Sequence, residues 1–163
     1  MPGGRWADVG AGTGAFTLAL ADLLGPGGRI VGIDRDGQAL EEAAEVVSAR
    51  FPGVTLETLV ADFTRPLDLA ALDGLVAANS LHFVPRERQV EVVRALAGHL
   101  RPGGRFVIVE YDADRGNKWV PHPFAATSWT ELATAAGLVD ARLLGRVPSG
   151  FLGAIYSAVA RRA

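Results

Sequence analysis

Asp8-Val9-Gly10-Ala11-Gly12-Thr13-Gly14 joins an apolar, strand-like stretch to a helix-like one. Its three alternating glycines permit backbone angles, and a close approach by another molecule, that side chains would block. The helix that follows Gly14 presents free N–H groups and the positive end of its dipole, which favour a carboxylate or a phosphate. The segment therefore predicts a ligand-binding turn, and a purely structural strand-to-helix turn is the alternative.

Strand-like and helix-like segments alternate along the rest of the chain. Apolar runs predict seven strands, at residues 5–9, 29–34, 54–60, 74–78, 105–110, 139–146 and 151–160. Helical periodicity and stop signals predict helices at residues 15–24, 37–51, 85–100 and 128–136, with a short helical turn near 66–71. This alternation predicts a doubly wound, Rossmann-like α/β fold, in which helices cover both faces of a mostly parallel seven-stranded sheet.

Three local signals refine this expectation. The last two strands are separated by too few residues for a crossover helix, so the last strand should run antiparallel. Pro102-Gly103-Gly104 predicts a tight turn before the fifth strand. Ser128 and Glu131 have the spacing of a capping box at the start of the last helix.

Composition limits the possible functions. The chain has 163 residues, a formal net charge of −2 and no cysteine. The length suits one domain over residues 1–163, and the lack of cysteine excludes disulfides, thiolate metal sites and cysteine nucleophiles. No metal site is predicted. The charge provides no global basic field for nucleic acid, although a local basic patch stays open. No apolar run approaches the ~18 residues of a membrane helix, and Met1-Pro2-Gly3-Gly4-Arg5 has no leader-like apolar stretch, so a cytoplasmic protein without a membrane partner is expected.

The glycine spacing distinguishes two classes of ligand. A dinucleotide loop has the pattern G-x-G-x-x-G, whereas here the third glycine comes one residue early. The spacing resembles motif I of class I S-adenosylmethionine-dependent methyltransferases, with Asp8 in the acidic position at its head. The resemblance implies that S-adenosylmethionine is the cofactor, that Gly10, Ala11, Gly12, Thr13 and Gly14 contact it, and that Asp8 lies near its methionine ammonium group.

The resemblance continues in register along the next two strands. Asp34, followed by Arg35, ends the second strand, where the family's acidic residue binds both ribose hydroxyls. A dehydrogenase also needs an acid there, and an acid that simply faces solvent is a further option. Asp62 and Phe63 occupy the family's position for adenine contacts, although an Asp-x-Thr sequence also caps turns.

Two later segments extend the likeness over essentially the whole chain. Residues 73–82 resemble motif IV, whose polar end, here at Asn79, borders the methyl donor in the family. Residues 101–105 resemble the family's turn before the fifth strand. These motifs imply a methyltransferase and do not specify its substrate.

The acceptor side contains two candidate catalytic residues, His82 and Tyr111. His82 follows the fourth strand and is a candidate base, because a histidine exchanges protons near neutral pH; a structural histidine is the alternative. Glu110 and Tyr111 end the fifth strand and should face the acceptor cavity. Glu110 either orients the acceptor or pairs with an arginine.

The loop at residues 111–126 is long enough to suggest a functional role. With His82, Glu110 and Tyr111, its Trp119 and His122 are candidate substrate-binding residues that wall a small acceptor. Trp119 and Phe124 serve alternatively as anchors for the loop. Asn-Pro-Pro-Tyr does not follow the fourth strand, which argues against methylation of base amino groups.

The leading hypothesis is a methyltransferase that acts on the oxygen or nitrogen of a small molecule. Only Met1–Gly4 precede the first strand, so the site should be open, or covered by the loop, by a second subunit of a homodimer or by a partner. One alternative is a non-catalytic subunit that binds the donor. The other is an NAD(P)-dependent oxidoreductase, against which the early third glycine and the reversed last strand count.

Overall fold

The computed structural model describes residues 3–163, and within this range the strands form one seven-stranded sheet. The strand order is β3-β2-β1-β4-β5-β7-β6, with β7 antiparallel to β5 and β6 and the other pairs parallel. The doubly wound fold and the reversed last strand are therefore confirmed. Met1 and Pro2, which belong to the segment predicted to contain no leader peptide, lie outside the described residues. The strands are β1 (Gly4–Val9), β2 (Gly28–Asp34), β3 (Thr55–Val60), β4 (Leu72–Ala78), β5 (Leu100–Tyr111), β6 (Leu138–Pro148) and β7 (Ala154–Arg162).

Four α-helices connect the strands of the described range. Asp36 caps the second of them, because its side chain accepts the Ala39 N–H at 3.1 Å. Short 3₁₀ turns at Leu81–Phe83 and Ala126–Ser128 precede the third and fourth helices. Within residues 3–163 no helix has the length and apolar character needed to cross a membrane. The helices are α1 (Ala15–Leu24), α2 (Gly37–Arg50), α3 (Arg86–Ala97) and α4 (Trp129–Ala135).

Two predicted helical segments are wrong in part. Residues 66–71 form no helical turn and have no regular secondary structure; Leu67 and Leu69 pack against the core, and the residues between and beside them are exposed. The helix predicted over residues 85–100 ends at Ala97. Leu100 is buried as the first residue of β5, so it packs in the core as part of a strand and not as part of the helix.

The two local turn signals also differ from the structure. Residues 102–104 are part of β5, and the pairing of β4 with β5 shifts register there between Leu72 and Gly74. The Ser128 side chain forms no capping hydrogen bond with the described residues. The 3₁₀ turn before α4 gives Ser128 helical backbone angles (φ −83°, ψ −15°), whereas a capping side chain needs an extended residue.

Apolar side chains cover the two faces of the sheet, and β4 shows the division clearly. Leu75 and Ala77 belong to the core beneath α3 and α4, whereas Val76 and Ala78 belong to the core beneath α1 and α2. A strand buried on both faces needs a continuous apolar run, which is what residues 74–78 provide.

The α1 face of β4 and β5 is covered less completely than the α3 face. Phe106 and Ile108 are fully buried on the α3 side, whereas Val107 and Val109 on the other side are only partly buried. A groove of about 950 Å³ runs there between the sheet and α1, and Leu23 on its rim is 75% exposed. The sheet and α1 therefore present a largely apolar surface away from the carboxyl ends of the strands.

Gly74 tests the packing of β4 against β1. A Cβ at Gly74 would lie 2.5 Å from the Trp6 ring, so Gly74→Ala should displace that ring and destabilise the protein by about 1–3 kcal/mol. Urea unfolding measures the loss. Gly145→Ala in β6 is the matched control, because its nearest neighbouring atom is 3.8 Å away. Equal stability of the two variants would contradict the packing argument.

Candidate functional site

The turn after β1 lies where the strand order reverses, between β1 and β4. Ligands bind at this point in doubly wound sheets. The N–H groups of Gly10 and Ala11 both donate to the Ile33 carbonyl, at 2.8 and 3.0 Å. These two bonds tie the turn to the end of β2 and so place it over the carboxyl edge of the sheet.

The three glycines of the turn have different physical roles. All have positive φ angles, which glycine adopts without steric cost. A Cβ at Gly10 would lie 2.5 Å from Ser80 Cβ, and one at Gly14 would lie 2.7 Å from Ala43 Cβ. A Cβ at Gly12 would meet no atom of the described chain within 4 Å. Packing therefore requires Gly10 and Gly14, whereas Gly12 faces open space.

Asp34 holds the turn as well as lining the site. Its carboxylate accepts the Gly12 N–H at 2.8 Å and the Asp36 N–H at 3.0 Å, one on each oxygen. An ionised carboxylate has about four acceptor positions, so two bonds leave capacity for ligand hydroxyls. The predicted ribose contact is compatible with this structural role.

Asp8 lies under the turn and is almost fully buried. Its carboxylate accepts the Thr17 hydroxyl of α1 at 2.6 Å. Burial raises the pKa of Asp8 to about 6, and the charge of Asp34 adds to this effect, while the bond from Thr17 opposes it. A positive ligand group would stabilise the ionised form of this carboxyl.

A cleft of about 280 Å³ brings together six of the predicted cofactor residues. Six further residues, which the sequence interpretation missed, complete its wall. Of the latter, Phe83 is 56% exposed, and an aromatic residue five positions after the apolar run at residues 74–78 is the sequence signal that would have indicated it. The predicted residues are Gly10, Asp34, Arg35, Asp62, Phe63 and Asn79, and the missed ones are Thr64, Ser80, Phe83, Val84, Pro85 and Arg88.

Asp62 caps the turn that follows it. Its Oδ1 accepts both the N–H and the hydroxyl of Thr64, at 2.9 and 2.7 Å. These hydrogen bonds hold the pKa of Asp62 below its usual value, and the charges of Arg35 and Arg65 contribute less. The turn-capping alternative is therefore observed, and Oδ2 is the oxygen that stays available for a ligand.

Two polar atoms in the cleft fit a polar ligand. Asn79 Oδ1 and Ser80 Oγ are buried and have no hydrogen-bond partner among residues 3–163. Asn79 also has a φ of 51°, which is uncommon for a residue other than glycine. Buried polar atoms without partners cost free energy, and a polar ligand such as the donor would satisfy them.

The other predicted donor residues lie around the cleft and do not line it. Thr13 is exposed at the top of the turn, and Ala11 is half-buried. Gly12 is partly buried, and Gly14 and Asp8 are buried.

Glu110 and His82 form a buried pair, an arrangement that the sequence interpretation did not anticipate. The Glu110 carboxylate is fully buried, so it exposes no atom to an acceptor. Its ion-pair partner is His82 and not an arginine. Glu110 Oε2 lies 2.7 Å from His82 Nδ1. The His82 ring is 2% exposed, which limits direct contact with an acceptor.

Tyr111 and the following loop stand next to this pair. The Tyr111 ring is half-buried, with its centroid 6.0 Å from that of His82. The His122 N–H donates to the His82 carbonyl at 2.9 Å, which ties the loop to the turn after β4. Phe124 is buried and anchors the loop, whereas Trp119 is 66% exposed and does not.

The sequence is similar to those of known methyltransferases. The sequence profile of a family described as a methyltransferase domain matches residues 7–104. A ubiquinone/menaquinone biosynthesis C-methyltransferase of Ectopseudomonas mendocina is 24% identical over 139 residues, which cover 85% of this chain and 53% of that protein. Three other relatives are matched over 16%, 32% and 50% of their lengths, so the chain spans about half or less of the curated relatives it matches.

Two solved structures have the same fold. A SAM-dependent methyltransferase from Methanosarcina mazei has a TM-score of 0.75 at 18% identity, over 99% of this chain and 93% of that one. The Burkholderia thailandensis 1,6-didemethyltoxoflavin-N1-methyltransferase, solved with 1,6-didemethyltoxoflavin and S-adenosylhomocysteine, has a TM-score of 0.78 at 22% identity, over 99% and 72%. The matched family range contains the glycine turn, Asp34, Asp62 and His82, and it ends before Glu110.

Asp8 should make stability depend on pH. Its pKa is about 6 in the folded protein and 3.8 for an ordinary aspartate, so the folded state binds more protons between these limits. The free energy of unfolding should therefore fall by up to about 3 kcal/mol as the pH rises from 4 to 6, and stay lowered above that.

Asp8→Asn keeps an acceptor for Thr17 and should remove this dependence. Urea unfolding at a series of pH values compares it with the wild type, and Asp22→Asn, at an exposed carboxylate, is the control. Parallel curves for the wild type and Asp8→Asn would contradict the assignment.

Proposed function

The chain belongs to the methyltransferase domain family, and we propose that it transfers the methyl group of S-adenosylmethionine to the oxygen or nitrogen of a small molecule. The observation that carries the proposal is the convergence of Gly10, Asp34, Asp62 and Asn79 on one cleft at the reversal of strand order. Each of these residues comes from the end of a different strand, so only the folded sheet brings them together.

The residues of the cleft suit the parts of the donor. The free acceptor capacity of Asp34 suits the ribose hydroxyls, and Oδ2 of Asp62 with the half-buried Phe63 suits adenine. Asn79 Oδ1, which has no hydrogen-bond partner among residues 3–163, and Asp8, which lies under the glycine turn, suit the ammonium group of the methionine part. When bound, the donor supplies an electrophilic methyl group on a sulfonium, and the protein's part is to hold the acceptor in line and exclude water.

A small-molecule acceptor is supported by the surroundings of the site. The Burkholderia enzyme of the same fold was solved with the small molecule 1,6-didemethyltoxoflavin. Tyr111, Trp119 and His122 are the candidate wall of an acceptor cavity here. Three expectations stay predictions: a homodimer or partner subunit that covers the site, a cytoplasmic location, and a single domain over residues 1–163.

A non-catalytic donor-binding subunit is the second candidate. The observation in its favour is the burial of the His82 ring beneath the segment at residues 112–125, which restricts the proposed base. Methyl transfer by the purified chain alone would exclude this candidate. Donor binding without transfer to any acceptor in the absence of a partner would favour it.

Donor binding tests the cleft directly. Calorimetric titration with S-adenosylmethionine and S-adenosylhomocysteine should show one site, whereas NAD⁺ should not bind. Binding of NAD⁺ without a response to either sulfur compound would overturn the proposal in favour of an oxidoreductase.

Gly12→Ala should weaken donor binding at least tenfold, because the new methyl group would occupy the open space beside the cleft. Gly27→Ala is the matched control, since Gly27 also has a positive φ and a Cβ placed there would have no described atom within 4 Å, in a turn remote from the cleft. Both variants pay the cost of a left-handed alanine, about 1–2 kcal/mol. Calorimetry separates this shared stability loss from the loss of binding, and equal affinities would refute the role of Gly12.

A further inference from the structure

Glu110 is a fully buried carboxylate to which four donors or potential donors converge. Its Oε1 accepts the backbone N–H groups of Ser80, Leu81 and His82, at 3.1, 2.9 and 3.3 Å. Its Oε2 lies 2.7 Å from His82 Nδ1. A buried carboxylate is costly unless hydrogen bonds replace its water, so this arrangement holds the turn after β4 firmly.

The same contacts determine the direction of the His82 ring. Three N–H donors already point at the carboxylate, which makes it an acceptor for Nδ1–H as well. A neutral imidazole that donates from Nδ1 keeps its lone pair on Nε2. The arrangement is that of an orienting carboxylate behind a histidine base.

We propose that Glu110 is a positioning residue that holds His82 with Nδ1 donating and Nε2 ready to accept a proton, and that the preferred acceptor is a hydroxyl compound. The proposal rests on the proposed methyl transfer, and it narrows the acceptor atom from oxygen or nitrogen to oxygen. An amine that is already neutral attacks without a base, whereas a hydroxyl becomes a strong nucleophile only as its proton leaves.

The balance of the step is simple. The acceptor oxygen forms a bond to the methyl carbon as the carbon–sulfur bond breaks, and that electron pair stays on sulfur. The hydroxyl proton passes to His82 Nε2, directly or through one water. The imidazolium that results donates from Nδ1 to Glu110, and the proton later leaves to solvent.

The His82 ring lies between two aromatic side chains, beneath the loop and beside the cleft. Phe83 and Tyr111 flank His82, with ring centroids at 4.4 and 6.0 Å. The loop is held over the turn by the bond from the His122 N–H to the His82 carbonyl and by Gln89 Nε2, which donates to the His122 carbonyl at 2.9 Å. Phe83 also lines the proposed donor cleft, so the His82 ring lies next to the wall of that cleft.

The tautomer of His82 tests the positioning without any acceptor. In ¹⁵N-labelled wild-type protein, the nitrogen chemical shifts should show Nδ1 protonated and Nε2 unprotonated at a pH where the ring is neutral. Through-bond correlations from the imidazole nitrogens to the His82 backbone assign the signals. A predominant Nε2–H tautomer in the wild type would overturn the proposal, and this result does not depend on whether any variant folds.

Glu110→Gln tests the cause of the tautomer. A glutamine side chain has one oxygen acceptor where the carboxylate has two, so the variant should shift His82 toward the other tautomer. Glu131→Gln, at an exposed glutamate of α4, should leave the signals unchanged. An unchanged tautomer in folded Glu110→Gln would show that Glu110 does not position the ring.

Acceptor panels test the substrate class. Wild-type protein with S-adenosylmethionine should methylate phenols or alcohols and not the matched amines, and Glu110→Gln should lower that rate about 100-fold. Transfer to amines only, or to neither class while S-adenosylhomocysteine still binds, would overturn the hydroxyl assignment. Failure to bind S-adenosylhomocysteine would instead refute the proposed function itself, so the two failures are distinguishable.

Discussion

The buried carboxylate of Glu110 is the interaction on which the geometry of the site depends. It gathers three consecutive N–H groups at the end of β4, and so forces the chain into the 3₁₀ turn at Leu81–Phe83. That turn leaves Asn79 and Ser80 facing the glycine turn, with two buried polar atoms unpaired among residues 3–163. One carboxylate at the end of β5 thus shapes both the donor cleft and the segment that holds His82.

Stability and ligand binding compete at the carboxyl edge of the sheet. Asp8 is buried with one hydrogen bond from Thr17, and burial raises its pKa to about 6, so its ionised form costs stability. Asn79 has a strained backbone, and its side-chain oxygen has no partner in the described part of the chain. Features that cost free energy in the unliganded protein are characteristic of sites that a ligand completes.

The family profile matches only some of the residues around the site. The glycine turn, Asp34, Asp62 and Asn79 all lie within the matched residues 7–104, whereas Glu110, Tyr111 and the loop lie beyond them. The matched range therefore includes the cleft residues and His82, and it ends before Glu110 and the loop. The chain also spans about half or less of several relatives, and the partly covered α1 face of β4 and β5 is a surface on which further contacts are available.

The sequence was sufficient to predict the fold class, the reversed last strand and the position of the cleft beside the glycine turn. Those conclusions depend on local signals, because alternating periodicities define strands and helices, and three glycines at fixed spacing define the turn. The carboxyl ends of parallel strands share one edge, so the order of segments also indicated that Asp34, Asp62 and Asn79 would meet. The prediction of a helical turn near residues 66–71 was wrong, because packing of Leu67 and Leu69 against the core outweighed the local helical propensity.

The contacts of the side chains at this edge became visible only in the folded chain. Glu110 and His82 are 28 residues apart, and no local pattern indicates that they pair. Asp62 bonds to Thr64, two residues along the chain, so its turn-capping role was visible in the sequence as an alternative, but its orientation in the cleft was not. Likewise, the three glycines look alike in the sequence, and only their neighbours in space show that Gly10 and Gly14 are required by packing while Gly12 faces open space beside the cleft. Spacing encodes local geometry, whereas burial and pairing arise when distant segments come together.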